Sequence, residues 1–197
     1  MLENIKDSVV TDSDFLSLIS SEIDTIQNFF REEKLENMPP ILQILDTNKS
    51  HQILPIGENA DFNNSTERRQ VLKRFGSEFY ANWGYPVFPA VVMLTSEAWI
   101  KSFDSTSVPD KVRQPSDYPD AIDTIVIQAI TLTKPSKEED EAEPRVCLGV
   151  LKIKQREPHI LLEELVEPSI MPASSNTTDL LNHFYLGWMQ QHQIEQN

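Results

Sequence analysis

Apolar residues recur every three or four positions in three stretches of the chain, the spacing that places them on one face of a helix. The stretches are residues 11–37, 65–83 and 178–191. They carry, in order, Phe15, Ile19, Ile23, Ile26 and Phe30; Val71, Leu72, Phe75 and Phe79; and Leu181, Phe184, Tyr185 and Trp188. We therefore predict two long helices and a short C-terminal helix.

Polar residues and breakers mark the ends of these helices. Thr11 followed by Asp14 resembles a capping box, which satisfies free amides at a helix start. Pro39 and Pro40 stop the first helix, and Gly84 is a natural C-terminal stop for the second.

Short apolar runs between the helices predict strands. Residues 41–45 and 52–56 flank a polar cluster suited to a turn, which indicates a β-hairpin. Residues 90–95 begin with five consecutive apolar residues, which favours a strand buried on both faces or central in a sheet. Residues 124–132 and 145–154 are rich in β-branched side chains and should pair antiparallel. Residues 160–166 fit a helical turn or an edge strand, and residues 168–176 a linker.

The order of these elements indicates an α+β fold, with helices packed on a mostly antiparallel sheet of about five strands. The 197 residues suit a single globular domain. Two segments are too polar or proline-rich to pack, so we expect a long surface loop at 102–120 and an acidic hairpin loop at 133–144.

Acidic residues outnumber basic ones by 31 to 17, which leaves a formal net charge of −14. Such a surface repels nucleic acid and anionic membranes, and we expect neither as a partner. A protein partner or a homo-oligomer is the remaining class of association. The single cysteine, Cys147, has no intramolecular disulfide partner, and residues 1–10 lack the pattern of a signal peptide. These features predict a cytoplasmic protein.

No stretch of the sequence matches a catalytic, metal-binding or phosphate-binding motif. The four histidines lie in separate elements, and the five glycines are too scattered for a phosphate-binding loop. Cys147 lies within a predicted strand, where a thiol is buried and protonated. We therefore assign no catalytic residue, metal ligand or cofactor.

Four basic residues on the second helix form the densest positive cluster in the chain: Arg68, Arg69, Lys73 and Arg74. Arginine side chains near exposed amides could hold a carboxylate or a phosphate. The alternative is a solvated face whose charges pair with nearby acids such as Glu67 and Glu78.

Aromatic residues at Trp83, Phe184, Tyr185 and Trp188 have two interpretations. Bulky rings pack the core by default, but the same residues could form a partner or dimer interface.

Two functions remain after these exclusions. The leading hypothesis is a non-enzymatic protein-interaction or assembly subunit. The alternative is a small-ligand binder or enzyme with a cleft beneath the 102–120 loop, in which His51, Glu97 and Arg69 would supply the polar groups.

Overall fold

A computed structural model describes residues 10–32, 38–48, 50–57, 65–84, 87–102, 117–131, 145–156, 160–173 and 175–196. The elements follow the order α1 (Asp12–Glu32), β1 (Ile41–Asp46), β2 (His51–Pro55), α2 (Ser65–Trp83), β3 (Pro89–Ile100), β4 (Ile122–Thr131), β5 (Arg145–Gln155), β6 (Leu161–Pro172) and α3 (Ser175–Gln196). The fold class is therefore α+β, as the sequence predicts.

The described strands form one six-stranded sheet in the order β2-β1-β3-β4-β5-β6. Every neighbouring pair is antiparallel. The predicted hairpin and the predicted pairing of β4 with β5 are both confirmed. Strands β2 and β6 form the two edges of the sheet.

Helices cover both faces of the sheet. Successive side chains of a strand point to opposite faces, so each strand contributes residues to both layers. Val91 and Met93 of β3 pack into the core beneath α1, whereas Val92 and Leu94 pack beneath α2 and α3. This two-sided burial explains why β3 begins with a continuous apolar run. Cys147 lies fully buried in the α1 core, as its strand position predicts.

Ile19 and Ile23 of α1 pack over Gly149 of β5. A Cβ atom on Gly149 would lie 3.5 Å from Ile23 and 3.7 Å from Ile19, which are ordinary van der Waals distances, so this packing does not depend on the glycine. On the opposite face, α2 and α3 cross at Gly76 and Gly187, where their backbones touch.

Several boundaries differ from those predicted, and tertiary contacts account for each difference. Strand β3 continues past Thr95 to Ile100 because Ser96 to Ile100 pair with β4. Residues 168–172 belong to β6 rather than to a linker, because β5 supplies a pairing partner despite Pro168. Helix α3 has 22 residues and is not short. The described residues contain six strands rather than about five, because the segment after residue 160 is an edge strand.

Three predictions fall wholly or partly outside the described residues. They are the end of the first helix at 33–37, most of the 102–120 loop, and the acidic hairpin loop at 133–144.

Candidate docking edge of the sheet

The three polar residues predicted to line a cleft lie in separate parts of the fold. His51 is level with Leu45 of β1 and Val91 of β3 across the sheet, whereas Glu97 lies six residues further along β3. Six residues of strand correspond to about 20 Å. Glu97 is on the α1 side of the sheet, because it shares the alternation of Val91 and Met93, whereas Arg69 lies on α2 at the opposite face. The structure does not bring the three together.

Glu97 holds strand ends together. One carboxylate oxygen accepts a hydrogen bond of 2.6 Å from the Met38 amide, and the other lies 2.9 Å from the Arg156 guanidinium. Arg156 also donates to Asp123 at 2.9 and 2.6 Å. Burial by itself lowers the pKa of Arg156, but the bonds to Glu97 and Asp123 outweigh burial and raise it. Both oxygens of Glu97 are therefore occupied by structural contacts.

The sequence offers no local signal for this cluster. Arg156 lies 33 residues from Asp123 and 59 from Glu97. Only the antiparallel pairing of β3 with β4 and of β4 with β5 brings the two carboxylates to the end of β5.

The basic residues of α2 contact groups within the protein. Arg74 lies 3.7 Å from Glu78 one turn later, and its guanidinium lies 5.8 Å from the centre of the Phe75 ring. Lys73 is half-buried where α3 crosses at Gly187. Arg68 and Arg69 make further interactions inside the chain. These contacts fit the interpretation of a paired helix face, and anion binding at this cluster stays a prediction.

Two of the four predicted interface aromatics lie in the core. Phe184 is fully buried and Trp188 is 2% exposed, so neither side chain is available to a partner. Tyr185 is half-buried and stacks parallel to Trp188, with ring centres 6.2 Å apart. Trp83 alone is well exposed, at 45%, although one face of its ring stacks on Phe79. The helical spacing of Phe184 and Trp188 therefore reflects packing in the core, and an interface role for Trp83 and Tyr185 stays a prediction.

The Tyr80 hydroxyl forms polar contacts beside these aromatic rings, where α2 meets the end of α3. The buried Tyr80 hydroxyl donates to Glu195 at 3.0 Å and lies 3.1 Å from Nδ1 of His192. Burial, and then the neighbouring Glu195 carboxylate, raises the pKa of Tyr80, so the phenol is neutral at physiological pH. The buried Trp188 Nε1 has no hydrogen-bond partner among the described residues. Rings from Tyr80, Phe88 and His192 surround its indole.

Other chemistry is sparse in the part of the chain that the structure describes. No group of three or more His, Cys, Asp or Glu side chains converges there as a metal site. Burial raises the pKa of Cys147, which keeps its thiol protonated and unreactive. None of the described helices has the length and apolar character needed to cross a bilayer.

The edge strand β6 carries features that oppose pairing with another strand. Its register with β5 shifts at three points. Such irregularities bend a strand, and a new strand needs a straight edge for pairing. Two prolines remove backbone donors, and three glutamates place charge along the strand. These residues are Glu163, Glu164, Glu167, Pro168 and Pro172. Leu161, Leu165 and Val166 are also exposed on this strand.

The opposite edge strand, β2, has neither the charge nor the irregular register of β6, and its one proline, Pro55, is its last residue. Its register with β1 is regular over all five residues, and it contains no Asp, Glu, Lys or Arg. Ile53 at its centre is 60% exposed, the second most exposed large apolar side chain among the described residues after Ile194. We call residues His51–Pro55 the β2 edge.

Backbone geometry shows which groups of the β2 edge face outward. Antiparallel pairs alternate between hydrogen-bonded and non-hydrogen-bonded positions. Bonds from Asp46 to Ser50 and from Ile56 to Pro40 flank the hairpin and fix this alternation. Even-numbered residues of β2 therefore bond to β1. The amides of His51 and Ile53, and the carbonyls of His51, Ile53 and Pro55, point away from the sheet.

Comparison of the chain with known family models, curated proteins and solved structures gives no match in any of the three. The candidate site consequently rests on geometry. Among the described surfaces, the β2 edge is the one that combines a regular strand register, outward amides and an exposed apolar residue, with no charged side chain on the strand.

Proposed function

We propose that this protein is a non-enzymatic interaction or assembly subunit that docks another polypeptide strand along the β2 edge. The observation that carries the proposal is the contrast between the two edges of one sheet. Natural sheet proteins protect their edges from pairing. Here β6 carries charge, an internal proline and an irregular register, whereas β2 has a regular register, no charged residue and a proline only at its end.

Strand addition suits the chemistry of the β2 edge. The carbonyls of a docked strand would accept hydrogen bonds from the outward amides, and its amides would donate to the outward carbonyls. An apolar side chain of the docked strand would cover Ile53. Main-chain hydrogen bonds are indifferent to net charge, and β2 adds no charged side chain to the contact. An acidic protein can therefore pair at this strand without placing like charges opposite each other.

The alternative, a ligand-binding or catalytic cleft beneath the 102–120 loop, has no observation in its favour. Its three polar residues are spread over both faces of the sheet, and Glu97 already bonds to Arg156 and Met38. Residues 103–116 of that loop lie outside the described chain.

Site-specific photo-crosslinking tests the proposal. A photoreactive amino acid replaces the exposed His51, and crosslinks formed in cells of the source organism are mapped by mass spectrometry. We expect crosslinks to one recurrent segment of one polypeptide, whether of this chain or another. Adding Ile53→Lys should abolish them, because a lysine at the centre of an edge strand opposes pairing.

Leu165→Lys is the matched control, since it places the same charge at an exposed apolar position on the other edge. It should leave the crosslinks intact. The proposal fails if crosslinks from position 51 are absent or diffuse, or if both lysine variants reduce them equally.

A further inference from the structure

The outward groups of the β2 edge are complementary to those of a second copy. Consider two β2 strands placed antiparallel about a two-fold axis through Ile53. Ile53 then faces Ile53 of the second copy, and His51 faces Pro55. This register places residues with outward backbone groups opposite one another, which is the requirement for a hydrogen-bonded antiparallel pair.

In this register every outward amide of β2 lies opposite an outward carbonyl of the second copy. The two Ile53 residues exchange two hydrogen bonds, amide to carbonyl in each direction. Each His51 amide donates to the Pro55 carbonyl opposite it, which adds two more. Pro55 has no amide hydrogen, and no outward amide of β2 is left unpaired in either copy.

Side chains and charge favour the same arrangement. Residues directly opposite in an antiparallel pair lie on the same face of the sheet, so the two exposed Ile53 side chains become neighbours. The net charge of −14 per chain opposes self-association at most surfaces, but β2 itself is free of Asp and Glu. The three glutamates of β6 would repel one another in the equivalent pairing at that edge.

We infer that two copies of this chain associate through antiparallel pairing of their β2 strands about Ile53, which joins two six-stranded sheets into one continuous sheet. This inference rests on the proposed function and names its partner as a second copy. The contact is isologous, so it closes at two subunits. It is also small, because five residues a side bury less than the roughly 1,200–2,000 Å² of stable complexes. The dimer is therefore reversible and depends on concentration.

Light scattering after size exclusion, over loading concentrations from about 1 µM to about 1 mM, measures the association in purified protein. We expect the mass to rise from 22.6 kDa toward twice that value with increasing concentration. Ile53→Lys should hold the mass at that of the monomer over the whole range, and Leu165→Lys should follow the wild-type curve. Far-ultraviolet circular dichroism confirms that both variants are folded.

Amide hydrogen exchange resolved by residue identifies the paired groups. The amides of His51 and Ile53 should exchange more slowly at high concentration than at low concentration. Those of Gln52 and Leu54 bond to β1 in monomer and dimer alike, so their exchange should not change.

Two results overturn the inference and differ in what they say about the proposed function. A dimer that Ile53→Lys leaves intact places self-association elsewhere on the chain. A monomer at every concentration, with position-51 crosslinks to a different polypeptide that Ile53→Lys abolishes, rejects the second copy as partner and retains strand docking. A monomer without such crosslinks rejects both.

Discussion

Gly76 and Gly187 show how single residues set the packing of the second helical layer. A Cβ atom at Gly76 would overlap the Phe184 carbonyl and lie 3.0 Å from the Trp188 nitrogen, and one at Gly187 would overlap the Lys73 carbonyl. Hydrogen at both positions lets the helix backbones touch. The Ser77 hydroxyl then reaches the Gly187 carbonyl at 3.1 Å, which adds a polar tie at the crossing.

Replacing Gly187 with alanine tests this crossing. Gly187→Ala should lower the free energy of unfolding by at least about 2 kcal/mol, because the methyl group meets rigid backbone rather than a movable side chain. Chemical denaturation followed by circular dichroism measures the change.

Gly57→Ala is the matched control, because no atom of the described residues lies within 4 Å of a Cβ at position 57. It should change stability by less than about 0.5 kcal/mol. Equal effects of the two alanines would show that the helix crossing is looser than described.

Among the elements, α1 owes its start to the capping box at Thr11. The Asp14 amide donates to Thr11 Oγ1 at 3.1 Å, and the Asp14 carboxylate accepts from the Thr11 amide at 3.3 Å and from its hydroxyl at 2.7 Å. Arg145 of β5 then pairs with Asp12 and donates to the Val10 carbonyl, so the capped end is also anchored to the sheet.

Thr11→Ala should lower the free energy of unfolding by about 1 kcal/mol, because it leaves the Asp14 amide without its acceptor. Thr25→Ala removes the same hydroxyl from the exposed middle of α1, where it bonds back to the Ser21 carbonyl. That change should be neutral or slightly stabilising, since alanine is the better helix former. Thermal unfolding of both variants measures the difference, and a larger loss in Thr25→Ala would contradict the cap.

Element bounds could be predicted where they depend on local chemistry. Helix α2 runs from Ser65 to Trp83 as its periodicity predicts, and the backbone of Gly84 takes the left-handed conformation expected of a helix stop, with φ of 61°. Bounds that depend on a distant partner could not be predicted. Strand β6 continues through Pro168 because it pairs with β5. Strand β3 continues beyond its apolar run because those residues pair with β4.

On the scale of the whole molecule, one sheet separates two apolar cores. The α1 core and the α2/α3 core share every central strand, since alternate residues of β3, β4 and β5 point into each. Loss of packing in one core therefore weakens the sheet that the other requires, and the two should unfold together.

Trp188→Ala should lower the free energy of unfolding by about 3–5 kcal/mol, because the buried indole contacts rings of both helices of its layer. Trp83→Ala removes a half-exposed indole and should cost about 1 kcal/mol or less. Denaturant unfolding followed by far-ultraviolet circular dichroism measures both and should show one transition in each variant. If a folded Trp188→Ala protein instead changed its oligomeric mass, the result would support the interpretation of Trp188 as an interface residue.

The sequence by itself determined the fold class, the three helical segments, the hairpin and the buried state of Cys147. Each of these follows from periodicity, capping residues or turn chemistry within a short window. Tertiary structure alone decided which side chains meet. It enclosed Phe184 and Trp188 in a core, separated His51 from Glu97, joined Glu97 to Arg156, and gave β2 a regular register and β6 an irregular one. Pairing and burial are relations between distant segments, so no local pattern of residues could specify them.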